Sequence, residues 1–265
     1  MINRTWRTRL LAIALLNIIA LVRIAEGVEA PSPASPNPLD FYPTSKGLSL
    51  EFESTLLKGD RAIAENTTYW TYVDDVLFEG EAARLVEFVI ERRGPGEKLQ
   101  RNGMEYLQKV DSEESYTVAY RSPTGEYIPE DNKYLDLYGE LVEGASWEFV
   151  CSMPFYEGSG NYRADFACRL SVEATGVSVV TPGGEFSDCI LILEQCRSLS
   201  PVSVDCPEPG LSEALVYVER KRYWAPANGQ IKETSTEWYG HPRLSESCVS
   251  YSYSTVLTKV VGPGE

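Results

Sequence analysis

Histidine is almost absent from this sequence, which contains only His241 among its 265 residues. Ser-His-Asp catalysis needs a histidine that is oriented by a carboxylate, but His241 precedes Pro242 in a stretch typical of an exposed loop. Structural zinc sites use closely spaced cysteines or cysteine–histidine clusters, and the closest cysteines, Cys189 and Cys196, are seven residues apart. We therefore predict no catalytic residue, no metal site and no cofactor.

Positive charge is also scarce. The chain has 24 Lys and Arg against 39 Asp and Glu, which gives a net charge of −15. Without residues 1–30, which hold four Arg and two Glu, 20 basic and 37 acidic residues remain and the net charge is −17. Such a field repels phosphate backbones and anionic membrane surfaces, so nucleic acid is not an expected partner. The basic run Arg220-Lys221-Arg222 alternates across a strand and is interpreted as a solvated edge.

Residues 1–30 have the pattern of a secretory signal. Three arginines precede the apolar run Leu10–Val22, and the small-residue exit Val28-Glu29-Ala30 follows it. The run is too short to span a bilayer comfortably, although an uncleaved anchor is the alternative interpretation. A lipid anchor is not expected, because no cysteine follows the run at a cleavage point. We expect cleavage after Ala30 and a periplasmic or extracellular protein, and an intact Met1 on membrane-held protein in mass spectrometry would contradict this.

The chain after the signal is predicted to have two parts. Residues 31–40 include Pro31-Ser-Pro-Ala-Ser-Pro-Asn-Pro38, a proline-rich linker that has little surface to bury and should be disordered. Residues 41–261 are predicted to form a single β domain, because 43% apolar and 11% aromatic residues suffice for a packed core.

The sequence lacks a convincing helix of ten or more residues, and its apolar residues alternate with polar ones instead. Two hairpins are clearest: residues 177–194, where Gly183 after Pro182 is expected to supply the positive φ of a type II turn, and residues 222–233 around Asn228-Gly229. We predict that they form the spine of an antiparallel sheet. Further strands are expected at residues 47–54, 69–73, 83–91, 104–109, 116–120, 144–149, 165–173, 214–224, 230–239 and 251–260. The predicted fold class is all-β, an antiparallel curved sheet or half barrel of roughly twelve short strands.

All six cysteines lie in the C-terminal half, and an even number in an exported chain indicates disulfides. They are Cys151, Cys168, Cys189, Cys196, Cys206 and Cys248. Six cysteines allow about 15 pairings. Pairs across turns are preferred, which predicts Cys151 with Cys168 and Cys196 with Cys206, and leaves Cys189 to Cys248.

An ordered set of short motifs between residues 41 and 240 resembles a broad group of exported bacterial β-rich proteins of unknown function. The motifs are Phe41-Tyr-Pro-x-x-x-Gly47, Gly144-x-x-Trp147, Pro182-Gly-Gly-Glu-Phe186 and Tyr223-Trp-Ala-Pro-x-x-Gly229. This chain differs from the group at Gly183, where alanine is usual, at Asn228 and in its extra cysteines. The resemblance implies an antiparallel sheet curved as a half barrel, similar to lipoprotein carrier domains, with no established catalytic residues.

Several residues are candidates for chemistry or for ligand binding. Paired carboxylates for glycoside hydrolysis are conceivable at Asp74-Asp75 and Glu113-Glu114, but neighbouring residues of a strand face opposite ways. A calcium site at Asp131, Asn132 and Asp136 lacks the glycine and the terminal glutamate of the known loop, so a solvated turn is preferred. The sequon Asn66-Thr-Thr68 fits a glycosylation acceptor.

The tryptophans Trp70, Trp224 and Trp238 fit either core packing or a ligand groove. The preferred function is that of a non-enzymatic binding or envelope-associated protein, which holds a lipid, another hydrophobic ligand or a partner segment in a half-barrel groove. The alternative is an extracellular hydrolase with paired carboxylates. A binding protein predicts an apolar concave face, and a hydrolase predicts two or more acidic side chains in one cleft.

Overall fold

Among the residues that the structure describes, the alternating segments form fourteen β-strands. The structure is a computed structural model and describes residues 35–93, 100–122, 124–130, 133–155, 162–203, 213–240 and 250–263. Within these ranges the helical structure is limited to a 3₁₀ turn at Pro38–Phe41, so the all-β, antiparallel, curved class is confirmed. No helix among the described residues is long and apolar enough to cross a membrane.

The strands are numbered in chain order. They are β1 (Ser49–Lys58), β2 (Arg61–Phe78), β3 (Glu81–Arg93), β4 (Gln100–Val110), β5 (Glu114–Arg121), β6 (Tyr127–Pro129), β7 (Leu135–Tyr138), β8 (Ser146–Phe155), β9 (Tyr162–Thr181), β10 (Gly184–Ser198), β11 (Val202–Ser203), β12 (Glu213–Ala225), β13 (Gly229–Gly240) and β14 (Ser250–Val261). Several are longer than expected. The predicted strands 165–173 and 177–180 are parts of the 20-residue β9, and 69–73 is part of the 18-residue β2.

One sheet contains all of these strands. Twelve lie side by side in the order β6-β5-β4-β3-β2-β1-β14-β13-β12-β10-β9-β8, while β7 pairs with β5 and β11 with β12. We call β1–β6 the N-terminal half-sheet and β8–β13 the C-terminal half-sheet. Strand β14 pairs with β1 on one side and with β13 on the other, so it joins the two half-sheets.

Both predicted hairpins are present, as β9–β10 and β12–β13, and the pairing of β10 with β12 makes them neighbours. The predicted role of Gly183 is wrong, because its φ lies outside the left-handed region and Gly184 has φ 145° instead. The Gly183 N–H donates a hydrogen bond of 3.0 Å to the carbonyl of Leu257 in β14. A Cβ on Gly183 would lie 3.0 Å from the Leu257 Cγ. Glycine is therefore required here for a close approach between two chain segments.

One segment crosses the inner face of the sheet. We call residues 133–138, which include β7, the strap. The strap pairs with β5 of the N-terminal half-sheet, and its Tyr134 and Asp136 bond to Glu194 of β10 and Arg222 of β12 in the C-terminal half-sheet. Contacts from one segment to both half-sheets require the sheet to curve towards itself.

The structure differs from the expectation of a disordered linker over residues 36–40. The Asn37 side chain accepts a hydrogen bond from the Leu39 N–H and caps the 3₁₀ turn, in which Pro38 and Phe41 are buried. The Pro36 carbonyl accepts a 2.9 Å hydrogen bond from the Leu141 N–H. The segment is ordered because proline and aromatic rings give it apolar surface to bury. Residues 31–34 lie outside the described ranges.

Buried apolar residues form two main clusters. The larger one packs inward-facing side chains of the C-terminal half-sheet, such as Phe166, Leu170 and Ile192, against Phe41 and the strap residue Leu137. The smaller one lies where β14 meets β1 and β13, and includes Phe52, Ile231 and Leu257. The concave side is therefore solidly packed at one end, and the space described next lies along the rest of it.

Candidate functional site

Four strands each direct two side chains, at positions i and i+2, to the concave side, because side chains two residues apart in a strand lie on the same face. These pairs are Leu50 and Phe52 on β1, Thr68 and Trp70 on β2, Tyr106 and Gln108 on β4, and Tyr253 and Thr255 on β14. The Leu50–Trp70 and Phe52–Thr68 cross-strand partners place the first two pairs side by side.

These side chains line a cavity of about 300 Å³, which we call the inner cavity. Its wall is completed by Tyr42, Phe88, Asp136, Trp224, Asn228, Gly229, Gln230 and Glu233. The wall draws on seven adjacent strands, from β4 through β1 and β14 to β12. Seven flat strands would span roughly 29 Å, since neighbours lie about 4.8 Å apart. The sheet must therefore curl around the inner cavity, which lies on its concave side.

A second cavity of about 900 Å³, the outer groove, lies next to the inner cavity. The two share the lining residues Phe88, Tyr106, Gln108 and Asp136. Large hydrophobic side chains of the outer groove are exposed, namely Met104 at 52%, Tyr120 at 41% and Ile128 at 41%. The two cavities are therefore adjacent, the inner one rich in aromatic side chains and the outer one more open.

A buried ionic cluster lies beside the inner cavity. Glu194 is fully buried, and Arg222 binds its carboxylate at 2.9 Å while Arg220 binds it at 3.0 Å. The Tyr134 hydroxyl donates to the same carboxylate at 2.7 Å. Burial opposes ionisation of Glu194, but the two guanidinium groups and the tyrosine outweigh it, so its pKa is lowered. Because a buried charge without its partner is costly, these contacts fix the strap on β10 and β12.

The prediction that Arg220-Lys221-Arg222 forms a solvated edge is wrong for the strand position and for the two arginines, while Lys221 on the opposite face is exposed. Strand β12 lies between β10 and β13, and Arg222 is only 3% exposed. Arg220 and Arg222 have the same parity as the buried Val218 and Trp224, so both point inward. The burial of two cations is possible because Glu194 and Asp136 face them from the neighbouring strand and the strap.

Asp136 connects the ionic cluster to the two cavities. Its carboxylate accepts hydrogen bonds from Arg222 Nη1 at 3.2 Å and from Gln108 Nε2 at 3.4 Å. Burial raises the pKa of Asp136 to about 6 against the opposing effect of Arg222, and the charge of Glu194 adds to the rise. Glu233, the other carboxylate in the wall of the inner cavity, accepts a 2.9 Å hydrogen bond from Gln230.

The other carboxylates singled out in the sequence lie outside both cavities. Asp74 pairs with Lys46 and Asp75 accepts from the Tyr72 hydroxyl at 2.6 Å, in an exposed position on β2. Glu114 forms ion pairs with Lys109 and Lys133, while Glu113 is exposed. Of the three residues considered for a calcium site, Asp136 belongs to the strap, and Asp131 and Asn132 lie outside the described residues. His241 also lies outside them.

Only two of the three tryptophans considered for a ligand groove lie at the inner cavity. Trp70 and Trp224 line the inner cavity, and Tyr42 packs against Trp224 with ring centroids 5.3 Å apart. Trp238 instead stacks on Tyr217 at 5.6 Å. The sequon asparagine Asn66 lies within strand β2.

The predicted disulfides Cys151–Cys168 and Cys196–Cys206 are wrong. Cys168 is bonded to Cys196, its direct cross-strand partner on β9 and β10. Cys151 and Cys189 are buried free thiols, and the Cys151 sulfur lies 3.9 Å from that of Cys168. Burial raises the pKa of Cys151 to about 12, which keeps it as an unreactive thiol. Cys206 and Cys248 lie outside the described residues.

Three important residues of the site, Gln108, Tyr134 and Glu194, were not singled out from the sequence. A signal for Glu194 was present, because it has the same parity in β10 as the buried Ile190, Ile192 and Cys196. Gln108 and Tyr134 have no such signal, since their positions depend on the curl of the sheet and on the strap.

No protein-family model and no curated protein matches the sequence. The fold is similar to two solved structures that are each 13% identical in sequence. One is a candidate lipoprotein of Parabacteroides distasonis, with TM-score 0.42, covering 85% of this chain and 100% of its own. The other is a candidate exported protein of Bacteroides fragilis with a YmcC-like fold, with TM-score 0.44, covering 84% of this chain and 99% of its own. Similarity at this level does not transfer a function.

Proposed function

We propose that this is an exported, non-enzymatic binding protein of the cell envelope that holds an apolar or amphipathic molecule along its concave face. The observation that carries the proposal is the pair of adjacent cavities on the concave face, which share the lining residues Phe88, Tyr106, Gln108 and Asp136. Their volumes fall within the range of pockets for small molecules, roughly 300 to 1,000 Å³, and such pockets are mostly apolar with a few polar groups.

Recovery of a bound ligand tests the proposal. The mature protein is purified from its own cell envelope and extracted with organic solvent, and the extract is analysed for lipid by mass spectrometry. The variant Met104→Glu places a charge in the outer groove at a half-exposed position that folding should tolerate. The matched control is Leu77→Glu, because Leu77 is 79% exposed and lines neither cavity.

We expect lipid from the wild type and from Leu77→Glu, and about tenfold less from Met104→Glu, since burying an unpaired charge against an apolar chain is unfavourable. Absence of lipid from the wild type, or equal recovery from the two variants, would contradict the proposal and favour an envelope protein with a purely structural role.

A hydrolase is the second candidate because two carboxylates, Asp136 and Glu233, line the inner cavity. Asp136 has a raised pKa, as carboxyl groups that act as general acids often do. The hydrogen bonds of both carboxylates to neighbouring side chains support a structural role instead. A panel of chromogenic glycosides and esters distinguishes the two: turnover by the wild type that Asp136→Asn abolishes would favour the hydrolase.

A further inference from the structure

Four aromatic side chains of the inner cavity keep part of their surface accessible. Trp70, Phe88, Tyr106 and Tyr253 are half-buried, whereas Trp224 in the same wall is only 4% exposed. The Trp70 indole N–H donates a hydrogen bond to the Tyr106 hydroxyl, which holds these two rings together at their edges. Because the four rings belong to the strands β2, β3, β4 and β14, a molecule in the cavity would contact aromatic surface on several sides.

Two carboxylates line the same cavity and are also partly accessible. The side chains of Asp136 and Glu233 are 20% and 15% exposed, whereas that of Glu194, which lines neither cavity, is 0% exposed. No Lys or Arg is found among the described residues that line the inner cavity. The wall therefore combines aromatic rings with negative charge, which repels an anionic group and attracts a cationic one.

The ion pairs around these carboxylates leave one negative charge without a counter-charge. They connect three carboxylates, on Asp136, Glu194 and Glu233, with two guanidinium groups, on Arg220 and Arg222. Three negative and two positive charges give a net charge of −1 when all five groups are ionised. One monovalent cation in the inner cavity would balance this charge, and the attraction is strong where little water screens it.

A quaternary ammonium group fits this wall better than a primary ammonium group. Aromatic faces attract cations through the ring quadrupole, and cages of such rings recognise quaternary ammonium ligands. A primary ammonium group carries three donors that need acceptors, but Asp136 and Glu233 already accept hydrogen bonds from Arg222, Gln108 and Gln230. A trimethylammonium group needs no acceptor, and the cavity of about 300 Å³, the volume of about ten water molecules, has room for it.

Building on the proposed function, we propose that the inner cavity binds the quaternary ammonium group of a cationic ligand. The four half-buried rings surround this group, and Asp136 and Glu233 supply the opposite charge. An alkyl chain attached to the group would cover the exposed Met104, Tyr120 and Ile128 of the adjacent outer groove. The net charge of −15 on the chain favours the encounter with a cation.

Choline and 3,3-dimethylbutan-1-ol test the effect of charge alone, because they have nearly the same shape and only choline is charged. Binding of each to the full mature protein is measured by NMR titration at about pH 8, well above the Asp136 pKa of about 6. A salt concentration of about 0.15 M limits the reach of the general surface charge to about 8 Å. Choline should bind at least about tenfold more tightly than the alcohol.

The variant Glu233→Gln removes one of the two cavity charges and keeps an oxygen that can accept the hydrogen bond from Gln230. It should weaken choline roughly five- to tenfold and leave the alcohol unchanged. The matched control is Glu87→Gln, which removes the same charge from an exposed position on β3 that lines neither cavity. This control should change choline binding by less than about twofold.

The variant Phe88→Leu tests the contribution of the rings, because it keeps an apolar side chain at the wall and removes one aromatic face. It should weaken choline roughly fivefold and the alcohol much less, since only the cation is attracted by the ring quadrupole. Equal weakening of both probes would mean that Phe88 provides apolar surface only, and would contradict the aromatic cage.

Two compounds with a dodecyl chain, dodecyltrimethylammonium and laurate, separate this inference from the proposed function. Their binding is measured by calorimetry below the concentrations at which they form micelles, and dodecyltrimethylammonium should bind at least about tenfold more tightly than laurate. If laurate binds as tightly, or if Glu233→Gln and Glu87→Gln weaken dodecyltrimethylammonium equally, the apolar site stands and the cation site is wrong. If choline shows its preference but the dodecyl chain adds no affinity, the cation site stands and the proposed function is wrong. If no probe binds, both are wrong.

Discussion

At the scale of single residues, Gly183 shows how one missing side chain shapes the fold. From the sequence, Gly183 was predicted to provide a positive φ in a turn. In the structure it is instead the lack of a Cβ on Gly183 that allows the close contact with β14. Leu257 is fully buried and so has little room to move away from Gly183.

The substitution Gly183→Ala should therefore destabilise the protein. Its Cβ would lie 3.0 Å from Leu257 Cγ and 3.2 Å from both the Leu257 carbonyl oxygen and the Lys259 nitrogen. Overpacking of this kind costs about 1–3 kcal/mol, which urea denaturation would detect. The control is Gly103→Ala, whose Cβ would meet Val89 at an ordinary 3.7 Å. Equal stability of the two variants would show that the hairpin tip does not pack on β14 as described.

At the scale of elements, the sequence predicted the hairpins well and the strap poorly. Alternation and turn residues are local signals, so β9–β10 and β12–β13 could be identified from residues 177–194 and 222–233. The strap at 133–138 looked like a connection between strands. Its contacts to Glu194 and Arg222 bring together positions about 60 and 86 residues apart, which no local pattern reports.

The same limit applies to the candidate site and to the disulfides. Trp70 and Trp224 could be named as possible lining residues, but whether a strand tryptophan faces a packed core or a cavity depends on the curl of the sheet. The bond between Cys168 and Cys196 follows from the register of β9 against β10. That register is shifted by irregularities in β10, so it could not be obtained by counting residues.

The β9–β10 crosslink gives a prediction at this scale. Peptide mapping of the folded, non-reduced protein should find Cys168 linked to Cys196, and the Cys151 thiol should react with an alkylating agent only after unfolding. The double variant Cys168→Ala/Cys196→Ala should lose roughly 3–4 kcal/mol of stability, because the bond closes a loop of 28 residues. Cys151→Ala is the control that leaves the bond intact. A peptide linking Cys151 to Cys168 would contradict the pairing.

At the scale of the whole molecule, stability should depend on pH through the buried carboxyl of Asp136. Its pKa is raised to about 6 from an ordinary 3.8. The folded state therefore holds a proton that the unfolded state releases. The contribution of this group to stability is fully present below pH 3.8 and is lost as the pH rises through about 6.

The comparison of wild type with Asp136→Asn isolates this effect from that of the other carboxyl groups. The wild type should lose roughly 2–3 kcal/mol relative to the variant between about pH 4 and about pH 7, measured as the difference in free energy of unfolding in urea. A constant difference, or a wild type that gains relative stability as the pH rises, would mean that Arg222 and not burial sets the pKa of Asp136.

The position of β14 in the sheet has a consequence for the order of folding. The Thr258 hydroxyl donates to the Glu51 carbonyl across 207 positions of sequence, and the whole β1–β14 pairing joins segments equally far apart. Until β14 is available, β1 is an unpaired edge and the two half-sheets have no common strand. Contacts this distant form slowly, because loop closure must precede them. The two half-sheets can therefore join through β14 into one sheet only after residues 250–261 have been synthesised.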